Sequence, residues 1–112
     1  MKFLTPLVLL LAIASPVKAD EPDCGYLADA YLEYAKPLGE TGKSLLSTGI
    51  FMGYVRGFTD GDGGRIIDVP QGVTTKQIAH VVGKWLQANP QHWHREVWLC
   101  VEVALLETWP AN

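Results

Sequence analysis

The sequence predicts an all-α fold, a small bundle of about four helices with one disulfide. Apolar residues recur at three- and four-residue spacing in four separate segments. No alternation of apolar and polar residues lasts long enough for a strand. Proline, glycine and asparagine punctuate the gaps between segments. Such a pattern belongs to helices packed on one another around a single core.

The first 19 residues stand apart from that domain. Lys2 is followed by the apolar run Leu7–Ile13, and Val17-Lys18-Ala19 supplies acceptable residues before a cut. This is the pattern of a secretory signal peptide, with cleavage expected after Ala19. The run is much shorter than the ~20 apolar residues a spanning helix needs. The expected mature chain is one domain, residues 20–112. Loss of Lys2 and Lys18 leaves seven basic against twelve acidic residues, a net charge of −5. With no basic patch, nucleic acid is not an expected partner, and after cleavage neither is a membrane.

The first helix is expected to follow Asp23, a good N-cap. Leu27, Ala30, Tyr31 and Tyr34 share one face, and Cys24 lies a turn before Leu27 on the same side. Lys36-Pro37-Leu38-Gly39 ends it. The second helix is expected from about Lys43 to Phe58. Gly49, Gly53 and Gly57 form a stripe along it. Each glycine costs up to about 1 kcal/mol relative to alanine, so a stripe of three predicts a neighbour whose backbone comes close.

The third helix has the clearest start. Thr74 and Gln77 form a capping box, with Val73 and Ile78 placed as a hydrophobic staple. Ile78, Val81, Val82, Trp85 and Leu86 make the apolar face. Lys76, His80 and Lys84 form a basic stripe opposite. Asn89 is expected to cap a fourth helix that starts at Pro90 and runs to about Thr108. Trp93, Val97, Cys100, Val101 and Ala104 share its face, widened by Trp98, Leu105 and Trp109. Pro110 stops it. So broad a surface predicts a central helix, or one that also meets a second subunit.

Cys24 and Cys100 are the only cysteines, and in an exported chain an even pair reads as one disulfide. Between helices two and three lies TDGDGGRIID, residues 59–68. An EF-hand loop beginning at Asp60 would need an oxygen ligand at its fifth position, glycine at its sixth and glutamate at its twelfth. The residues there are Gly64, Arg65 and Gln71, so the stretch reads as an exposed, flexible turn and not as a calcium site. His92-Trp93-His94 is not expected to hold zinc. Residues two apart on a helix point about 200° apart, and the pair is expected on the first turn of helix four. No nucleophile elbow, phosphate loop or cysteine–histidine pair is recognisable. Neither catalysis, nor a metal, nor a cofactor is expected.

The stretch GYVRGFTDG, followed by PQGVTTKQIAHVVGKWLQANPQHWHREVWLCVEVALLETWP, resembles the Rap/Tai-type immunity family. The resemblance runs from about Gly49 to Pro110. It is carried by Gly53-Tyr54 with Gly57, the Pro70-x-Gly72-Val73-Thr74 lead-in to helix three, Gln77, Asn89-Pro90 with His94, and Trp109-Pro110. Family members often carry further cysteines; here those neighbourhoods hold Phe51-Met52, Asp68-Val69 and Ala111-Asn112. The resemblance implies a small, all-helical, periplasmic protein associated with type VI secretion. It implies binding and inhibition of a peptidoglycan amidase toxin, and a second copy of the chain as another partner. Asp60, Asp62, Arg65 and Asp68 are the candidate partner-binding residues, with the exposed face of helix three as a second candidate. A small periplasmic helical chaperone with one disulfide is the competing class.

Overall fold

The computed structural model describes residues 22–36 and 42–112, with side chains from residue 45 onward in the second block. The expected leader and the expected stop at Pro37–Gly39 lie outside the described residues. Four α-helices follow one another: α1 (Cys24–Tyr34), α2 (Gly42–Asp62), α3 (Thr75–Ala88) and α4 (Val97–Thr108), with a short 3-10 turn, Pro90–His92, before the last. No described helix is long and apolar enough to cross a membrane.

Asp23 caps α1 as expected, its carboxylate accepting from the Tyr26 amide at 2.8 Å. The first free amides of α1 find an unexpected acceptor. Cys24 N–H donates to the Arg95 carbonyl and Gly25 N–H to the Trp93 carbonyl, each at 2.9 Å. The start of the first helix is thus completed by the segment that leads into the last. A Cβ on Gly25 would lie 3.3 Å from the Cβ of Trp93, so the close approach there favours glycine. Cys24 and Cys100 are disulfide-bonded, with Cα atoms 6.2 Å apart and a sequence separation of 76. Both are buried.

The capping box of α3 forms as its residues dictate. Thr74 Oγ1 accepts from Gln77 N–H at 3.1 Å, and Gln77 Oε1 accepts from Thr74 N–H at 2.7 Å. Ile78, Val82 and Leu86 are buried, while Val81 and Trp85 pack at the edge of the core. His80 does not sit on an exposed basic stripe. Its ring packs against Tyr31 and Tyr34, and its Nδ1 lies 3.0 Å from the Tyr31 hydroxyl. Gly83, a turn further on, causes this. It leaves room for the Tyr31 ring, which comes so near that a Cβ would lie 2.1 Å from it. A tyrosine seated on Gly83 presents its hydroxyl to His80.

The close-packed glycine is therefore in α3, and the expectation for α2 fails. Among the described residues, nothing lies within 4 Å of a Cβ built on Gly49, Gly53 or Gly57. Phe51 and Val55, both fully buried, hold the core face of that helix. A position two residues from Phe51 is rotated about 200° around the axis, which turns Gly49 and Gly53 to solvent. The helix also runs on to Asp62, so Asp60 and Asp62 belong to its last turn rather than to a loop.

The fourth helix begins later than expected. Pro90 opens only a 3-10 turn, and Asn89 makes no side-chain cap for it. The Asn89 side chain instead donates to the Trp85 carbonyl at 2.8 Å. Residues 93–96 break away because their carbonyls serve α1 and because the Trp93 indole donates to the Leu86 carbonyl at 2.8 Å. Within α4, Val97, Cys100, Val101, Ala104 and Leu105 are buried. Trp98 is turned outward.

Candidate functional site

The acidic turn is more ordered than an acidic, glycine-rich stretch suggests. Gly63 and Gly64 carry positive φ, 60° and 84°, a conformation open to glycine at little cost, and they reverse the chain after α2. The Asp62 carboxylate then accepts from the amides of Ile66 and Ile67, each at 3.1 Å. Desolvation pushes its pKa up, but the amides of Ile67 and Ile66 and the charge of Arg65 outweigh this and hold it below 3.8. Beyond the turn the chain pairs with the C-terminal end. Asp68 N–H donates to the Trp109 carbonyl and Ala111 N–H to the Ile66 carbonyl, both at 2.9 Å. Ile67 is buried beneath.

Of the four candidate contact residues, Asp60, Arg65 and Asp68 are exposed at this corner. Asp60 pairs with Arg56 one turn earlier, at 3.0 Å; an exposed pair of this kind is worth well under about 1 kcal/mol. Asp62 spends its carboxylate on the turn itself. The corner therefore displays charge on a backbone tied at both ends.

A second exposed surface was not singled out in the sequence. Two shallow hollows, about 320 and 280 Å³, meet at Tyr54. The first lies among Tyr26, Gly49, Ile50 and Gly53; the second reaches Pro22, Glu96, Val97 and Trp98. Three aromatic side chains stand out from this face, with Tyr26 45% exposed, Tyr54 37% and Trp98 53%. The Trp98 indole is oriented by Glu96, to whose carboxylate it donates. Aromatics of this kind commonly carry binding energy at protein interfaces. The available signal was angular. Tyr26, Tyr54 and Trp98 each sit one residue, about 100°, from a buried position, whereas the helical spacing alone had put Trp98 at the edge of the apolar face of the last helix.

The histidine pair lies in the turn before α4, not in its first helical turn. The His92 ring stacks on Trp85, with centroids 5.9 Å apart and planes 10° apart. His94 is exposed. Among the described residues, no group of three or more histidine, cysteine or carboxylate side chains could hold a metal ion. The exposed side of α3 keeps Lys76 and Lys84 in solvent, now without His80.

No curated protein and no solved structure matches the chain. The family model described as Rap1a immunity proteins matches residues 23–111, which spans all four helices, the bonded cysteines, the acidic turn and the aromatic face. The chain belongs to the Rap1a immunity protein family.

Proposed function

We propose that this is a periplasmic immunity protein that binds and inhibits a peptidoglycan amidase effector of type VI secretion, and that it performs no chemistry itself. The observation that carries this reading is the family match over residues 23–111. In this reading residues 1–19 direct export and are removed, and residues 20–112 act as a single domain. The corner bearing Asp60, Arg65 and Asp68 meets the toxin, with Asp62 holding its shape from within. The tying of that corner to the C-terminal end supports the assignment, because a pre-ordered contact loses less conformational entropy on binding.

The test uses purified mature protein and an amidase effector of the same cell's type VI system. Hydrolysis of peptidoglycan should fall to zero at an equimolar ratio. An Asp60→Lys, Asp68→Lys double variant should bind at least tenfold more weakly while keeping its thermal transition. Hydrolysis that continues at a tenfold excess of the protein would refute the reading.

The open face of α2 favours a homodimer as well. Its exposed glycines let a second helix approach closely, and Tyr26 and Tyr54 would be covered by it. Sedimentation at micromolar concentration should show twice the monomer mass, lost on Gly53→Arg.

A further inference from the structure

A groove lies on the flank of α4 away from Trp98. Its walls are Trp85 and Leu99, with His92, Arg95 and Val103 around them and Cys100 at its base. It shares no residue with the acidic corner or with the hollows around Tyr54. The Trp85 wall is fixed twice. Its face stacks on His92, and its indole N–H donates to a Glu107 carboxylate oxygen at 3.0 Å. A wall held in this way needs no ordering when something packs on it.

Size and charge select the occupant. The groove measures about 280 Å³, just under the roughly 300–1,000 Å³ usual for small-molecule and cofactor sites. That is room for one large side chain and not for a cofactor. Its lining is mostly apolar and aromatic, with Cys100 at its base, a surface on which an aromatic ring packs well. No carboxylate lines it. Arg95 stands at its edge, exposed, with no ion pair among the described residues. A planar guanidinium left free in an otherwise acidic chain is matched by a carboxylate.

We propose that this groove docks a partner protein through one aromatic side chain flanked by a carboxylate, the ring lying between Trp85 and Leu99 and the carboxylate meeting Arg95. This goes beyond the toxin reading, because it assigns a second contact on a different face. It stands whether or not an amidase is inhibited.

The test is carried out on the mature chain with its disulfide intact. Two blocked tetrapeptides serve as probes: glycine–phenylalanine–aspartate–glycine, and the same peptide with asparagine in place of aspartate. The four indole N–H resonances are followed by NMR during titration, with Trp85 assigned from Trp85→Phe. The aspartate peptide should move the Trp85 resonance, leave that of Trp98 in place, and bind about fivefold more tightly than the asparagine peptide, the upper end for one exposed ion pair. Arg95→Gln, an exposed position, should bring the two affinities together. Val103→Trp should fill the groove and abolish the shift while the other indole resonances keep their positions. Equal affinities in the wild-type chain, movement of Trp98 instead of Trp85, or no movement at 10 mM peptide, a concentration of order ten times the Kd of a weak single-site contact, would each overturn the proposal.

Discussion

Gly83→Ala should be the most damaging single-methyl change in the domain. In most helices the exchange helps by up to about 1 kcal/mol, since alanine loses less backbone entropy. Here the new Cβ would lie 2.1 Å from Cδ1 and Cε1 of Tyr31 and 2.4 Å from its Cγ. Ordinary carbon contacts are about 3.5–4.0 Å, so the ring or the helix must move by more than 1 Å. The ring is not free to do so. Phe51 lies 5.3 Å from it on one side, Tyr34 is stacked at 6.3 Å, and the hydroxyl is tied to His80. Overpacking of this kind costs about 1–3 kcal/mol, and breaking the tyrosine–histidine hydrogen bond adds about 1. After subtracting the helix-propensity gain, the net loss is about 2 kcal/mol. For a domain of this size that lowers Tm by roughly 8–16 °C. Gly57→Ala, melted at a concentration where sedimentation shows the monomer, is the internal control. No described residue crowds that position, so Tm should rise by a few degrees. Thermal melts of both variants by circular dichroism suffice. If Gly83→Ala raises Tm as Gly57→Ala does, the packing of α1 on α3 described above is wrong.

Reduction of the disulfide, or Cys24→Ala with Cys100→Ala, removes a cross-link spanning 76 residues; the chain-entropy model gives a loss of about 4 kcal/mol, read as a fall in the urea midpoint, and an unchanged midpoint would refute it. Asp62→Asn should weaken the turn in a pH-dependent way. The folded carboxyl titrates below its ordinary value of 3.8, so its contribution is present above that value and is lost as pH falls through the folded pKa. The stability gap between wild type and variant should be constant at pH 5–7 and narrow as pH falls below 3.8; a gap that stays constant on acidification would show that charge is not the cause. Tyr34 is held above 10.0, chiefly by desolvation and then by Tyr31. Its contribution is full below 10 and is lost as pH rises through the folded value, so Tyr34→Phe should denature at a higher alkaline midpoint than wild type in a pH titration. Trp98→Ala changes an exposed side chain and should leave Tm within about 1 °C, and a larger fall would mean that the ring is packed.

The features legible in the sequence were those set by neighbours along the chain. Asp23 caps, and Thr74 with Gln77 boxes, because each bond closes within three residues. The cysteine pairing was legible for another reason: two cysteines allow one pairing. Reading failed where a residue answers to a distant one. His80 falls in step with Lys76 and Lys84, yet its partner Tyr31 is 49 positions away. The repeat of Gly49, Gly53 and Gly57 was plain, but its orientation depended on Phe51 and Val55 taking the core. Gly83, a lone glycine in a good helix, carried no periodic signal at all. At the candidate site, the position and charge of the acidic turn were readable. Its stiffness was not, because that comes from Trp109 and Ala111 at the far end of the chain.

The dependence of the first helix on residues 93–100 has a consequence for how the protein comes into being. A polypeptide emerges N-terminus first, and most domains begin to organise as soon as enough of them is out. Here the opening amides at Cys24 and Gly25, and the thiol of Cys24, wait for acceptors and a partner that are among the last to appear. The core therefore cannot close before residues 93–100 have been made. Until then the first helix lacks both the acceptors for its opening amides and the cross-link that fixes it, and only afterwards does the chain commit to its final shape.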